Sequence, residues 1–420
     1  MRFVIIGNGA AGNAAAETIR KYDENAEIIM FSSEAFPEYS ACALPDYISG
    51  WIPRSHLFLK DYDDYKHKQI KIEWGQSVTE IDTVNKQVIT EKGMTKYDKL
   101  IIASGSRAFI PPINGVNLSG NFVIKSVSDV DRIIEHEPSQ VVVVGSGNIG
   151  VEAAEALEIR GCKVTLIELL GRVMPKAFDA KASALLYKIL TNNNIRVLTD
   201  EKVLEVKGLK QVEELVTNRR NIPCDTVIWT VGVRQNVELA QKSGISIGKL
   251  GGIKVNSRME TSQQDIYACG DCIESIDLLT GQPALSLLWP NAKRQAQVAA
   301  LNCLGKPTEY EGSVNIIVEE IYDTLCVSIG FTEEMLSGRD FQVIENGNER
   351  FYYRIVISNG LIVGWQSIGI SNGIGTILAL IKTRTPIAEV KRVWQNSDLV
   401  AKVPWYLTAG NFLFHEFSSI

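Results

Sequence analysis

A glycine-rich turn between an apolar, strand-like run and a helix-forming segment occurs twice in this chain of 420 residues. Both copies have the pattern Gly-x-Gly-x-x-Gly, with motif positions Gly7, Gly9, Ala10, Ala11, Gly12 and Gly145, Gly147, Asn148, Ile149, Gly150. The first glycine permits a tight turn, the second lets backbone N–H groups approach a pyrophosphate, and the third lets the helix pack closely on the strand. Each turn, called here the first and the second glycine turn, therefore predicts a dinucleotide-binding fold.

Each glycine turn is followed, roughly 20 residues on, by an acidic residue at or shortly after the end of the next apolar run. These acids are Glu34 and Glu168. A carboxylate in this position accepts hydrogen bonds from ribose hydroxyls. Glu168 would also repel a 2′-phosphate, which favours NADH over NADPH, whereas Arg172 close behind it would soften that preference.

Three segments outside the turns extend the pattern, namely Leu100–Ser106, Thr230–Asn236 and Asp265–Asp271. With the turns, in this order, they resemble the FAD/NAD-dependent pyridine nucleotide-disulfide oxidoreductases, the family of NADH oxidase, coenzyme A disulfide reductase and rubredoxin reductase. The resemblance implies that the first fold holds FAD and the second holds NAD(H). It also implies that FAD is contacted by Ser104, Gly105, Gly270, Asp271 and Lys293. Gly232 would contact NAD(H).

The layout that the resemblance implies is nested. An FAD-binding domain covers residues 1–109 and 234–308, an NAD(H)-binding domain is inserted at 110–233, and a third domain spans 309–420. The predicted fold class is α/β, with two Rossmann-like domains of three layers (ββα). The third domain has the mixed strand and helix pattern of a C-terminal α+β interface domain.

The segment Glu38–Gly50 contains one cysteine, Cys42, followed by Ala-Leu-Pro. It resembles the segment of NADH oxidases, NADH peroxidases and coenzyme A disulfide reductases in which a single cysteine beside the flavin cycles as a sulfenic acid or a mixed disulfide. The alternative is that Cys42 only packs beside the flavin. Two departures oppose a redox role: Asn148 stands where that group usually has a tyrosine, and residues 394–405 lack its segment rich in proline and tyrosine.

The resemblance implies hydride exchange between NAD(H) and FAD, for which the protein supplies position and electrostatics. Glu155, on the helix after the second glycine turn, is the candidate carboxylate near the nicotinamide. The prediction is that electrons pass on to an iron–sulfur protein or subunit of the rubredoxin or ferredoxin type. The alternative route leads through Cys42 to oxygen, peroxide or a coenzyme A disulfide. A flavin-bearing scaffold with vestigial chemistry ranks last, because both turns and both acids are intact.

Composition bears on partners and location. The 43 Lys and Arg against 49 Asp and Glu give a net charge of −6, which argues against nucleic acid or an anionic membrane as the main partner. No run approaches the roughly 18 apolar residues of a membrane span. The seven cysteines are scattered, and the pair Cys269 and Cys272 lies within and directly after the segment Asp265–Asp271 that the resemblance assigns to FAD, so no metal site is predicted. The expected location is cytoplasmic, because the N-terminus does not resemble a signal peptide.

The C-terminal end of the chain is rich in aromatic residues: Trp365, Trp394, Trp405, Tyr406, Phe412, Phe414 and Phe417. Aromatic side chains are enriched at the cores of protein interfaces. The alternative is that they fill the core of a small domain. The interpretation retained is an interface, and the chain is expected to form a homodimer or to be a subunit of a larger complex.

Overall fold

The computed structural model describes residues 1–336, 338 and 340–390, and these form two compact units. Unit 1 comprises Met1–Tyr47, Trp51–Phe109 and Val233–Ser313. Unit 2 comprises Ile48–Gly50, Ile110–Gly232 and the described residues from 314 onward. The division into four segments that the sequence predicts is finer than this one, and it stays a prediction.

Unit 1 is built on a parallel sheet of five strands. In spatial order these are Ile266–Ala268, Lys99–Ile102, Arg2–Ile6, Glu27–Phe31 and Ile70–Glu73. The central strands are apolar and buried on both faces, as a parallel sheet covered on both sides requires. The strand Arg2–Ile6 pairs with later strands on both of its edges, so the strand order reverses where the first glycine turn begins. Ligands of open α/β sheets bind at such a reversal.

Small residues let two long helices of unit 1 pack closely on this sheet. Helix Ala10–Tyr22 buries Ala14, Ala15 and Ala16, and helix Trp289–Cys303 likewise buries several alanines. The remaining helices, with the short 3₁₀ turns last, are Leu44–Ser49, Tyr62–His67, Glu238–Lys242, Ala41–Ala43, Arg54–Leu57 and Gly270–Cys272, and the last two residues of the first of these are assigned to unit 2. The remaining strands form small sheets: Val78–Asp82, Gln87–Thr90, Gly93–Lys96; Ser106–Ala108, Val233–Gln235; and Ile253–Lys254, Ile273–Ile276, Pro283–Ala284.

Unit 2 repeats this plan with a second parallel sheet of five strands. In spatial order they are Arg196–Leu198, Lys163–Ile167, Gln140–Val144, Thr226–Trp229 and Asn121–Val123. Its helices are Val127–Glu135, Asn148–Ile159 and Ala180–Asn192, and a small antiparallel sheet adds Val203–Lys207, Glu214–Thr217 and Asn221–Pro223. The strand before the second glycine turn again has later strands on both edges. The predicted fold class is confirmed.

An antiparallel sheet forms the last described part of unit 2. Its strands in spatial order are Ile316–Ile321, Thr324–Gly330, Leu361–Ile368, Tyr352–Ser358 and Gln342–Gly347, and the 3₁₀ turn Glu333–Leu336 and the helix Ile374–Thr383 accompany it. Trp365 is fully buried and stacks on Tyr353, with ring centroids 5.7 Å apart, so it belongs to the core of this sheet. The other aromatic residues of the predicted interface, from Trp394 to Phe417, lie outside the described residues, as do residues 394–405 as a whole.

Neither a membrane-spanning helix nor a metal site is found among the residues that the structure describes. Among them, no helix combines the length and the apolar composition needed to cross a bilayer. No group of three or more His, Cys, Asp or Glu side chains in the same part of the chain is arranged to hold a metal ion.

Candidate functional site

The first glycine turn uses its glycines for two different reasons. A Cβ on Gly7 would lie 2.1 Å from the carbonyl oxygen of Ala103, and a Cβ on Gly12 would lie 2.0 Å from the carbonyl oxygen of Gly7. Packing therefore requires both. A Cβ on Gly9 would meet nothing within 4 Å, and this residue is exposed at the N-cap of the helix that starts at Ala10. Open space beside free helical N–H groups is what a bound pyrophosphate needs, so the turn fits FAD.

The second glycine turn has the same arrangement. A Cβ on Gly150 would lie 1.9 Å from the carbonyl oxygen of Gly145, which itself packs on Thr230. A Cβ on Gly147 would again meet nothing within 4 Å. The helix begins at Asn148, with the side chain of Ile149 exposed next to it. The open space and the helix N-terminus fit the pyrophosphate of NAD(H).

The acid of the second fold is bound to its own glycine turn. Glu168 is buried, and its Oε2 accepts hydrogen bonds from the backbone N–H (2.9 Å) and the hydroxyl (2.7 Å) of Ser146. Its Oε1 accepts a third from the backbone N–H of Leu170 at 2.9 Å. Hydrogen bonds to a charged acceptor are the strong ones. Sequence reasoning missed Ser146, although a hydroxyl inside a glycine motif is a usable signal.

The acid of the first fold is held more loosely, and another residue braces the turn. Glu34 is half-buried, and the phenol of Tyr39 lies 3.1 and 3.2 Å from its two oxygens. The turn itself is fastened by Asn13, whose Nδ2 donates to the carbonyl oxygens of Asn8 (2.7 Å) and Gly9 (3.2 Å). Asn13 is buried on the first turn of the helix, and sequence reasoning did not single it out.

The segment Asp265–Asp271, which the sequence predicts to contact FAD, lies against the helix of the first glycine turn. Gly270 has φ +81°, and a Cβ on it would lie 2.9 Å from the Cβ of Ala11. Its N–H donates to Oε1 of Gln295 at 2.9 Å, and Asp271 accepts from the Ser106 hydroxyl at 2.8 Å. The structure thus brings Gly270, Asp271 and the start of this helix together. Gln295 and Ser106 were not predicted as site residues.

The remaining predicted cofactor contacts are placed as follows. The hydroxyl of Ser104 donates to the carbonyl oxygen of Asn236 at 2.8 Å, and Gly105 follows with φ +66°. Lys293 is exposed near the start of helix Trp289–Cys303. Gly232 is exposed in unit 2 with φ +110°, which only glycine adopts easily. Their roles in cofactor binding stay predictions.

Glu155 has a partner from the antiparallel sheet of unit 2. Its carboxyl group is buried, and Oε1 accepts the backbone N–H of Tyr322 at 2.8 Å. Tyr322 and Asp323 form the tip of a hairpin and both have positive φ, 45° and 61°. Burial, with the charge of Glu158 adding to it, raises the pKa of the Tyr322 phenol, which donates to Glu158 at 3.1 Å. Sequence reasoning did not foresee the contact between this hairpin and Glu155.

Cys42 differs from every other cysteine of the chain. All seven cysteines belong to the described residues, and Cys42 is exposed whereas the other six are buried. Burial raises the pKa of those six thiols, so they are poor nucleophiles. Cys42 lies in the 3₁₀ turn Ala41–Ala43, directly before helix Leu44–Ser49. An acceptor arriving from solvent can therefore reach this thiol.

A buried ion pair ties the segment of Cys42 to the first fold. Nζ of Lys60 lies 2.6 Å from Oε2 of Glu38 and 2.9 Å from Oδ1 of Asn13. The two charged side chains are only 11% and 6% exposed. Burial raises the pKa of Glu38, and the ammonium group of Lys60 opposes that shift. The start of the Cys42 segment is thus anchored to the helix that follows the first glycine turn.

Comparison with known proteins gives a family match over most of the chain. The family model described as pyridine nucleotide-disulphide oxidoreductase matches residues 1–300. The chain is 36% identical over 393 residues to an NADH oxidase of Methanocaldococcus jannaschii, with 88% of each chain covered.

Two further proteins differ from that oxidase in the reaction that their names give. The chain is 31% identical over 317 residues to the assimilatory nitrate reductase electron transfer subunit of Bacillus subtilis, covering 74% of this chain and 40% of that protein. Among solved structures, an NAD-dependent persulfide reductase from A. fulgidus superposes with a TM-score of 0.88 at 29% identity, covering 93% of this chain and 79% of that one.

Proposed function

The chain belongs to the pyridine nucleotide-disulphide oxidoreductase family, and from this premise we propose that it reduces an acceptor containing a sulfur–sulfur or oxygen–oxygen bond by way of Cys42. The coarser activity follows from the family and its relatives: the chain is an FAD-dependent NAD(P)H oxidoreductase. One observation carries the finer proposal, namely that Cys42 alone among the seven cysteines, all of them described, is exposed.

The two glycine turns divide the cofactors between them in this proposal. A bound FAD would supply the chemistry of hydride exchange with NADH and the electrons for reduction of the acceptor. The first glycine turn, with Glu34 and Asp271, would hold FAD, and the second, with Glu168 and Gly232, would hold NAD(H). In each site the N–H groups at the helix N-terminus offset the negative charge of a pyrophosphate. The role of Glu155 near the nicotinamide is part of the same proposal.

Cys42 acts as the nucleophile toward the acceptor. Its thiolate attacks one sulfur of a sulfur–sulfur bond, that bond breaks, the departing thiolate takes a proton from water, and Cys42 is left in a mixed disulfide. With a peroxide the thiolate takes one oxygen atom and becomes a sulfenic acid while hydroxide leaves. Two electrons then return Cys42 to the thiolate: the mixed disulfide releases its other sulfur as a second thiolate, and the sulfenic acid releases its oxygen as hydroxide. The thiol must be exposed for the attack, because the sulfur of Cys42 has to approach the acceptor along the axis of the sulfur–sulfur or oxygen–oxygen bond that breaks.

An anaerobic titration of the oxidised, FAD-loaded protein with NADH tests the proposal. FAD consumes one two-electron equivalent, and an oxidised Cys42 consumes a second. We expect two equivalents for the wild type and one for Cys42→Ser. Cys162→Ser is the matched control and should keep two, because a serine can still donate to the Pro138 carbonyl that the Cys162 thiol contacts at 3.1 Å. One equivalent for the wild type, unchanged in Cys42→Ser, means that the proposal is wrong.

A second candidate is electron transfer to an iron–sulfur protein or subunit of the rubredoxin or ferredoxin type. Asn148 supports it, because the NADH oxidase group usually has a tyrosine there, and so does the similarity to a nitrate reductase electron transfer subunit. The sequence analysis ranked this route first; we rank it second, because the exposure of Cys42 supports the route through this thiol. Its signature is one NADH equivalent in the titration, with reduction of added rubredoxin at the same rate in wild type and Cys42→Ser. Assembly as a homodimer or in a larger complex stays a prediction.

A further inference from the structure

A cavity of about 430 Å³ opens in unit 2 next to the acid of the second fold. One wall is the loop of residues 170–176, and the other is formed by Thr332, Glu334 and Met335. The loop starts at the residue whose N–H binds Glu168, since Leu170 donates to its Oε1 at 2.9 Å. The cavity therefore lies directly beside Glu168, the acid that would meet the adenosine ribose.

Two cationic residues, Arg172 and Lys176, line this cavity, but Arg172 is already engaged. Its Nε donates to the carbonyl oxygen of Phe178 at 3.2 Å, and its Nη2 donates to that of Pro175 at 3.0 Å. The same Nη2 lies 2.6 Å from Oε1 of Glu334. The guanidinium group is thus fixed on the wall of the cavity, and a carboxylate offsets its charge.

We propose that Glu334 determines the choice between NADH and NADPH. The inference rests on the proposed placement of NAD(H) at the second glycine turn. A 2′-phosphate brings a charge of about −1.5 to −2 into the space beside Glu168, and arginine is the residue best suited to bind it in a bidentate manner. Glu334 occupies that arginine and adds a second negative charge to the cavity. NADH has no 2′-phosphate, so the ion pair does not oppose it.

Removing the charge of Glu334 should leave a folded protein. The side chain of Glu334 is 66% exposed, and exposed ion pairs contribute little to stability. The backbone carbonyls of Pro175 and Phe178 continue to hold Arg172 in the cavity wall. Glu334→Gln therefore removes the carboxylate that offsets the charge of Arg172, while the guanidinium group stays in the same place.

The experiment is anaerobic stopped-flow reduction of the bound FAD, measured with NADH and with NADPH, which requires neither Cys42 nor an acceptor. In Glu334→Gln we expect the ratio of rate constants (NADPH over NADH, at low nucleotide concentration) to rise about tenfold, the discrimination that one well-placed charge contact provides. Glu334→Gln combined with Arg172→Gln should lose that gain. Glu213→Gln, an exposed carboxylate of unit 2 outside the cavity wall, should keep the wild-type ratio.

An unchanged ratio in Glu334→Gln, or a gain that persists without Arg172, overturns the inference. A Gly147→Val variant separates this failure from a failure of the proposed NAD(H) site. If the second glycine turn binds NAD(H), the valine blocks FAD reduction by both nucleotides, and a flat Glu334→Gln result then overturns the specificity role alone. If Gly147→Val is reduced normally, the placement of NAD(H) is wrong and the role of Glu334 falls with it.

Discussion

The two glycine turns have nearly the same backbone but are fastened from opposite sides. In the first, the helix supplies the brace: Asn13 binds back to the turn, and Lys60 holds Asn13 in place. In the second, the acid supplies the brace: Glu168 binds both the N–H and the hydroxyl of Ser146. Val151 occupies the position that corresponds to Asn13 and has no side-chain polar group to offer.

The difference shows that one nucleotide-binding turn can divide its tasks in two ways. In the first fold, the residue that braces the turn and the acid proposed to meet the ribose, Glu34, are different residues. In the second fold, Glu168 braces the turn and is also the acid proposed to meet the ribose. A carboxylate engaged in three hydrogen bonds before any nucleotide arrives is also oriented before it arrives, which lowers the entropy lost on binding. The comparison makes three predictions about stability.

The largest effect is expected where the two turns are alike. Gly12→Ala and Gly150→Ala should each lower the free energy of unfolding by more than about 3 kcal/mol, because the new Cβ would lie 2.0 and 1.9 Å from a carbonyl oxygen of the same turn. Gly9→Ala and Gly147→Ala are the matched controls, with a loss below about 1 kcal/mol, because their Cβ atoms would meet nothing within 4 Å. Urea denaturation measures all four. Similar losses across the set would contradict the division of the glycines into packing and open positions.

A smaller effect is expected from the brace on the helix side. Lys60→Met should lower the free energy of unfolding at neutral pH by about 3 kcal/mol, because it leaves the buried carboxylate of Glu38 without its cation. The pKa of Glu38 is already raised by burial and rises further without Lys60. A raised carboxyl pKa favours the folded state when protonated, so the deficit should shrink as the pH falls through that pKa.

Lys68→Met is the matched control for this brace. Lys68 pairs with Glu17 at 2.6 Å, but both side chains are substantially exposed. The change in stability should stay within about 1 kcal/mol. Urea denaturation at several pH values between about 5 and 8 distinguishes the two variants. A pH-independent deficit in Lys60→Met would mean that Glu38 is not the group responsible.

The smallest effect separates the two acids. Glu168→Gln should lower the free energy of unfolding by about 1 to 2 kcal/mol, because the amide cannot accept at both former oxygen positions, where three donors converge. Glu34→Gln should change it by less than about 0.5 kcal/mol, since its carboxyl group is half-buried beside a phenol that can reorient. Thermal unfolding in the absence of NAD(H) measures both. Equal shifts would remove the proposed double role of Glu168.

The parts of the fold that depend on neighbouring residues could be predicted from the sequence. Apolar runs, glycine turns and alanine-rich starts of helices identify both Rossmann folds, and the structure has the expected strand before each glycine turn and helix after it. A tight turn of six residues is sterically possible only with glycine at certain positions, so the turn is visible in the sequence. The family match over residues 1–300 confirms the resemblance from which the cofactors were inferred.

The bonds that hold the site together could not be predicted in the same way. Glu155 meets Tyr322 across 167 positions of the chain, and Arg172 meets Glu334 across 162. No periodicity connects such pairs, and a hairpin tip with two residues at positive φ is not suggested by Tyr322 and Asp323, neither of which is a glycine. The sequence alone suggests that Arg172 softens the preference for NADH, because it does not reveal the carboxylate of Glu334 with which Arg172 pairs in the structure.

Because six of the seven thiols are buried, the number of thiols that react with a reagent indicates whether the chain is folded. A reagent that labels sulfur meets one group on each intact molecule and seven once the fold opens, so the labelling stoichiometry reads out the unfolded fraction without any added probe. The same asymmetry governs damage. Oxidants in the surroundings meet Cys42 first, and the six buried thiols become accessible to them only after the fold has been lost.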